Sequence, residues 1–236
     1  MSQQFKTAKC YIVYDENAIA KPGEDFFRLS YWAEKDGYES LSGGRGGSCL
    51  FSLDGRQYVL RRYYRGGLVA KIMKESYLWT GLNSTRPWRE WNVLHTETAQ
   101  TLPVMRPVAA FVESDGYFFY RAAIISEYLP NTETLAHRLS HSVMSSEMWV
   151  KLGVQIKRIQ SANIRHADLN ANNILIDQNN NFYVIDFDKS IIMPHLSDWQ
   201  WMPLHRLQRS LDKIQRTIPL RYNENDWQSL MDGYQV

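Results

Sequence analysis

His166-Ala167-Asp168-Leu169-Asn170-Ala171-Asn172-Asn173 is followed, after a short gap, by Asp186-Phe187-Asp188. Two carboxylates and a carboxamide thus stand at the ends of an expected hairpin. Ile174-Leu175-Ile176 and Phe182-Tyr183-Val184-Ile185 are short apolar runs separated by Asp177-Gln178-Asn179-Asn180-Asn181, a strong turn composition. Antiparallel pairing about that turn brings Asn173 at the start of one strand close to Asp186 at the end of the other. Asp168, on the entering loop, can then face the same point. An amide oxygen beside a carboxylate makes a hard-oxygen site for Mg²⁺, and a further carboxylate nearby can accept a proton. These are the working parts of a phosphotransferase.

Other elements must position them. Leu41-Ser42-Gly43-Gly44-Arg45-Gly46-Gly47-Ser48 is a glycine cluster leading into a strand, and Asp54-Gly55 signals a hairpin whose return strand covers Arg56 to Tyr64. Backbone N–H groups at Gly44, Gly46 and Gly47 can approach phosphate oxygens closely because no Cβ stands in the way. Arg61 and Arg62 lie on opposite faces of the return strand, and hairpin pairing alone leaves open which faces a nucleotide. A helix opens at Pro87-Trp88-Arg89-Glu90. Ile124-Ile125-Ser126-Glu127-Tyr128-Leu129-Pro130 is an apolar strand entering a polar connection. Helices are expected from about Thr132 to His141 and from Ser145 to Ser161.

Near the C-terminus Leu204, Leu207, Leu211, Ile214 and Ile218 form an apolar stripe at helical spacing. Arg206, Arg209, Lys213 and Arg216 recur roughly on the other side. Packed inward, the stripe leaves a solvated basic face; that face, with Trp199 and Trp201, also suits an anionic membrane surface.

Composition sets outer bounds. The chain has 236 residues, 44% of them hydrophobic, enough for one large domain or two small lobes. A net charge of +2 argues for no particular partner, and nucleic acid is not expected. Cys10 and Cys49 are too few for a disulfide framework, which suits a reducing cytosol. Neither a signal peptide nor a membrane span is apparent, so the expectation is a soluble or peripheral protein.

The catalytic segments resemble the protein-kinase-like superfamily, with its His-x-Asp-x-x-x-x-Asn loop and Asp-Phe-Gly triplet, here carrying Asp188 in place of the glycine. The resemblance implies an α+β bilobal fold: a small β-rich N-lobe over residues 1–129 and a mainly helical C-lobe over 130–236 that carries the catalytic hairpin. It implies that Asp168 deprotonates the acceptor hydroxyl and that Asn173 and Asp186 hold Mg²⁺ on the phosphates of ATP. It further implies that Arg61 replaces the usual phosphate-anchoring lysine, that Glu90 pairs with it, and that backbone groups near Glu127 and Leu129 bond the adenine. Protein kinases are disfavoured by Asn170, where they carry lysine, and by the absence of an Ala-Pro-Glu segment.

A closer resemblance is to the bacterial lipopolysaccharide kinase family, within it the kinases of 3-deoxy-D-manno-octulosonic acid (Kdo). It is carried by Gly44-Arg45-Gly46-Gly47-Ser48, Tyr58-Val59-Leu60-Arg61, Arg65-Gly66-Gly67, Arg89-Glu90-Trp91 and Ile185-Asp186-Phe187-Asp188-Lys189. That family's activity implies phosphorylation of the 4-hydroxyl of Kdo on a Kdo-linked lipid A precursor, at the cytoplasmic face of the inner membrane. Other expectations are a heptose or aminoglycoside type of small-acceptor kinase, and an inactive kinase-fold interaction module. The presence of Asp168, Asn173 and Asp186 disfavours the last.

Overall fold

Strand-forming runs with apolar residues on both faces explain the first sheet. In the computed structural model, which describes residues 2–41, 47–64, 76–96 and 98–236, the chain divides into two compact units. The first comprises Met1–Trp91 with Arg106–Tyr128, the second Asn92–Met105 with Leu129–Val236.

The first unit holds β1 (Ser2–Lys6), β2 (Cys10–Asp15), β3 (Glu39–Ser40), β4 (Ser48–Leu53), β5 (Arg56–Arg62), β6 (Tyr77–Leu78), β7 (Pro107–Asp115) and β8 (Phe119–Glu127). Their order is β1-β2-β7-β8-β5-β4-β3, with β6 added against β8, and every pairing is antiparallel. Asp54 and Gly55 both adopt positive φ, 50° and 74°, as a tight two-residue hairpin turn requires. Neighbouring residues feed two cores. Ile125, Leu60 and Phe51 pack on one face with Trp32 of helix α1 (Leu29–Ala33), while Ile124, Tyr63 and Ala122 pack on the other. The second of these faces also carries Trp88 and Trp91 of α2 (Arg86–Leu94). Burial on both sides is why Ala122–Ile125 reads as an unbroken apolar run.

The second unit contains β9 (Glu133–Thr134), α3 (Leu135–His141), α4 (Ser146–Ser161), β10 (Ile164–Arg165), β11 (Ile174–Ile176), β12 (Phe182–Val184), β13 (Ile191–Ile192), α5 (Trp201–Gln215) and α6 (Glu224–Gln235). Helices α4 and α6 approach closely at Gly153 and Gly233. A Cβ on Gly153 would stand 2.0 Å from the Leu230 carbonyl oxygen, and one on Gly233 would stand 2.1 Å from that of Val150. Leu204, Leu207 and Leu211 of α5 join Trp149, Leu152 and Phe187 in this unit's core.

The sequence placed everything up to residue 129 in one lobe, yet residues 92–105 group with the second unit. Val93, Leu94, Ala99, Leu102 and Val104 are buried in that core, and the Met105 N–H donates to the Val184 carbonyl at 3.3 Å. The helix expected from Thr132 begins only at Leu135, because Glu133 and Thr134 pair with β11 and the Thr134 side chain caps α3. The apolar stripe also ends early. Ile218 lies beyond α5 and is half exposed.

Candidate active site

The β11–β12 hairpin forms with Ile174 opposite Val184 and Ile176 opposite Phe182. Asn173 therefore stands at the hairpin's mouth, its carbonyl accepting from the Ile185 N–H at 3.0 Å, one residue before Asp186. Asp186 adopts φ 69°, a left-handed backbone that costs a non-glycine residue free energy and that neighbouring structure must hold. Phe187 supplies part of that hold: it is fully buried, with its ring edge-on to His166 at 4.6 Å.

The loop between β10 and β11 is fixed by its own polar groups. The Asn173 and Asn170 side-chain amides both donate to the Asp168 carbonyl, each at 2.9 Å. With its nitrogen so committed, Asn173 leaves its amide oxygen without a hydrogen bond from the described residues. Buried His166 ties the loop to the hairpin. Its Nδ1 accepts from the Asp168 N–H at 3.2 Å, so the ring proton sits on Nε2, which donates to the Ile185 carbonyl at 3.1 Å.

Asp168 has one occupied and one open oxygen. Its Oδ1 accepts from Arg206 of α5 through Nε at 2.7 Å and a terminal nitrogen at 2.6 Å. Its Oδ2 accepts nothing from the described residues. No sequence signal links Arg206 to Asp168, since the helical spacing put Arg206 on a solvated face. Trp199 is also placed differently from the sequence expectation: it is buried, with its indole N–H on the His195 carbonyl, while Trp201 is partly exposed.

Burial pushes the His166 imidazole below its ordinary 6.5, and Arg206 acts in the same direction. The Ile185 carbonyl, Asp186 and Asp168 oppose it and do not prevail. The folded state thus favours the neutral ring. Its stabilising contribution is complete above 6.5 and is lost as pH falls from there toward the lower folded value. Melting temperature should accordingly drop as pH falls below 6.5 in the native chain and drop less in His166→Gln. Parallel melting curves for the two proteins would contradict the buried neutral histidine.

In the first unit, Arg61 meets Glu90 of α2 at 2.6 Å, and the Tyr63 hydroxyl donates to the same carboxylate oxygen at 2.8 Å. Glu90 is only 2% exposed, so its charge is compensated by these two partners. Arg61 shares the α2 side of the sheet with Tyr63, lying 5.0 Å over its ring, whereas Tyr58 and Leu60 point into the opposite core. This settles which strand face carries Arg61.

The remaining expected residues divide three ways. Gly44 and Gly46, like Arg65-Gly66-Gly67, lie outside the described residues. Gly47 has a packing reason to lack a side chain, because a Cβ there would stand 1.9 Å from the Tyr64 ring. The Glu127 N–H is spent on the Arg106 carbonyl at 3.0 Å, and the Leu129 carbonyl accepts from the Thr132 hydroxyl at 2.9 Å.

A second group of potential ligands brings Glu133, His137 and His141 within 4.8 Å of one another. Burial works to raise the Glu133 carboxyl, but hydrogen bonds from His141, His137 and Arg138 outweigh it and hold it near 2. Imidazole nitrogens suit borderline metals rather than Mg²⁺. The hard-oxygen set remains Asn173 and Asp186, and these residues fit Mg²⁺ by donor type.

The lipopolysaccharide kinase (Kdo/WaaP) family model matches residues 30–234. This chain belongs to that family. It is therefore a phosphotransferase that uses ATP and acts on a hydroxyl group. A 3-deoxy-D-manno-octulosonic acid kinase of Mannheimia succiniciproducens is 37% identical over 94% of this chain and 94% of its own length. Its namesake from Vibrio parahaemolyticus is 34% identical over 99% of this chain and 97% of its own length. The solved structure of WaaP in complex with acyl carrier protein superposes with a TM-score of 0.57 at 16% identity, covering 95% of this chain and 88% of that one. The last likeness establishes the protein-kinase-like α+β fold. Among the described residues no helix is long and apolar enough to cross a membrane.

Proposed function

We propose that this enzyme transfers the γ-phosphoryl group of ATP to the 4-hydroxyl of Kdo on a Kdo-linked lipid A precursor. The observation that carries the choice of sugar is near-full-length similarity to relatives that are themselves named Kdo kinases. The site supports the chemistry. Asp168 Oδ2, uncommitted and held in place through Oδ1 by Arg206, takes the acceptor's hydroxyl proton. The hydroxyl oxygen forms its bond to the γ-phosphorus as the bond to the β-γ bridging oxygen breaks, and ADP leaves. Asn173 through its amide oxygen and Asp186 through its carboxylate would hold Mg²⁺. When bound, that ion neutralises charge developing on the phosphoryl oxygens. Incubation with ATP and either the Kdo-linked precursor or the precursor without Kdo tests the choice of sugar. ADP release is expected with the first acceptor only, and equal release with both would point to another hydroxyl.

Arg61 is the phosphate anchor in this reading, steadied by Glu90 and Tyr63. Arg61→Ala should raise the ATP KM and lower turnover, by at least about tenfold for loss of a charge-assisted contact, while Arg62→Ala does much less. Steady-state kinetics of the two variants decide this, and the reverse ranking would assign the nucleotide to the other strand face.

The enzyme acts peripherally at the cytoplasmic face of the inner membrane, where its acceptor resides. Exposed Lys213 and Arg216, with half-exposed Trp201, supply a basic and amphipathic surface toward anionic lipid. Replacing Lys213 and Arg216 by Gln should reduce partitioning onto anionic vesicles at low salt by about thirtyfold, at about 1 kcal/mol per charge. Undiminished co-sedimentation would move the attachment elsewhere.

A further inference from the structure

Beside Asp168 lies a cavity of about 310 Å³ whose lining includes Arg165, Met202, His205, Arg206 and Arg209. That volume is at the lower end of small-ligand pockets, which run roughly 300–1,000 Å³. Its charge is one-sided. Arg165 ends β10, three residues before Asp168, and Arg206 and Arg209 project from one face of α5 at i, i+3 spacing. Arg206 is already engaged with Asp168. The side chains of Arg165, His205 and Arg209 make no hydrogen bond or ion pair among the described residues. Two guanidinium groups therefore line a cavity with no counter-ion of their own, and a planar fork of N–H donors matches a carboxylate bidentately.

We infer that this cavity is the acceptor pocket, and that Arg165 and Arg209 bind the carboxylate of the sugar acid whose hydroxyl is presented to Asp168. The inference rests on the function proposed above and adds the subsite to it. The cavity wall includes His166 and Ala167, the two residues that lead directly into Asp168. Arg206, also on the cavity's lining, meets Asp168 Oδ1 at 2.6 Å, so the cavity and the base share a residue. A carboxylate on the reacting sugar suits a pocket that adjoins the base, and a phosphate further along the acceptor suits it less. Arg206 then has two tasks: it orients Asp168 and completes the cationic wall. Met202, 58% exposed on the cavity's lining, offers an apolar edge to the rest of a lipid-linked acceptor.

The test measures acceptor and ATP KM for the native enzyme, Arg165→Gln and Arg209→Gln. Three acceptors are compared: the Kdo-linked precursor, the same molecule with the sugar carboxylate reduced to an alcohol, and the same molecule stripped of its lipid phosphates. Each variant should raise the KM for the intact acceptor by about 10- to 100-fold, the equivalent of a charge-assisted hydrogen-bonded pair, and leave the ATP KM unaltered, which also reports intact folding. The native enzyme should lose a similar factor on the reduced acceptor, and the variants should no longer distinguish it from the intact one. Variants that still prefer the intact acceptor but become indifferent to the lipid phosphates would overturn the inference in favour of phosphate recognition. An unchanged acceptor KM would overturn it outright, with the native enzyme's activity on the Kdo acceptor still standing. No native activity on any of the three acceptors would remove the functional reading and this subsite with it.

Discussion

Asp168→Ala should lower turnover by about 10²–10⁴-fold, the usual contribution of a positioned general base and equivalent to about 3–5 kcal/mol of barrier. ATP affinity should stay near its native value, because in the proposed mechanism Asp168 meets the acceptor rather than the nucleotide. The geometry adds a sharper expectation. Arg206 grips only Oδ1, and Asn170 and Asn173 hold the Asp168 backbone carbonyl. Removing the carboxylate therefore takes away the proton acceptor while leaving the loop's backbone anchors in place. Asp168→Asn keeps the shape and loses the basicity, so it should fall by a comparable factor. Steady-state kinetics with nucleotide-binding measurements on folded variants decide the matter. Near-native turnover in either variant would place the base elsewhere.

Asp186→Asn should abolish measurable transfer and weaken Mg²⁺-dependent nucleotide binding, with little change in binding measured without metal. A neutral amide at this position cannot supply the anionic oxygen that holds a hard cation, and the phosphoryl group then loses its charge clamp. The residue's left-handed backbone makes the substitution informative, because asparagine tolerates that conformation at least as well as aspartate. Loss of function would then report the charge and not a disturbed turn. Nucleotide titrations with and without Mg²⁺ that matched the native pair would refute the metal assignment.

Much of this was legible from local patterns. The apolar runs on either side of Asp177–Asn181 pair as the turn composition demands, with Asp177 accepting from the Asn179 and Asn181 N–H groups. Arg61 and Glu90 meet across 29 residues because a strand face and a helix face each have a fixed period. What escaped was long-range or set by packing. Arg206 looks like any basic residue on an amphipathic helix until α5 is docked by Leu204, Leu207 and Leu211, which turns it toward Asp168. The same docking aims Arg209 at the cavity. Gly47 has a further reason to be glycine that its loop context does not announce: it makes room for the Tyr64 ring. Residues 92–105 follow their buried side chains into the second unit, a choice that no local signal encodes.

The product itself is the most direct test. The enzyme is incubated with ATP and the Kdo-linked lipid A precursor, and the lipid is analysed by mass spectrometry and phosphorus–proton correlation NMR. A gain of one phosphate, with the new phosphorus coupled to the proton on carbon 4 of Kdo, is the expected result. A phosphate on another sugar, on another Kdo hydroxyl, or on no part of the lipid while ATP is consumed would contradict Kdo 4-kinase activity.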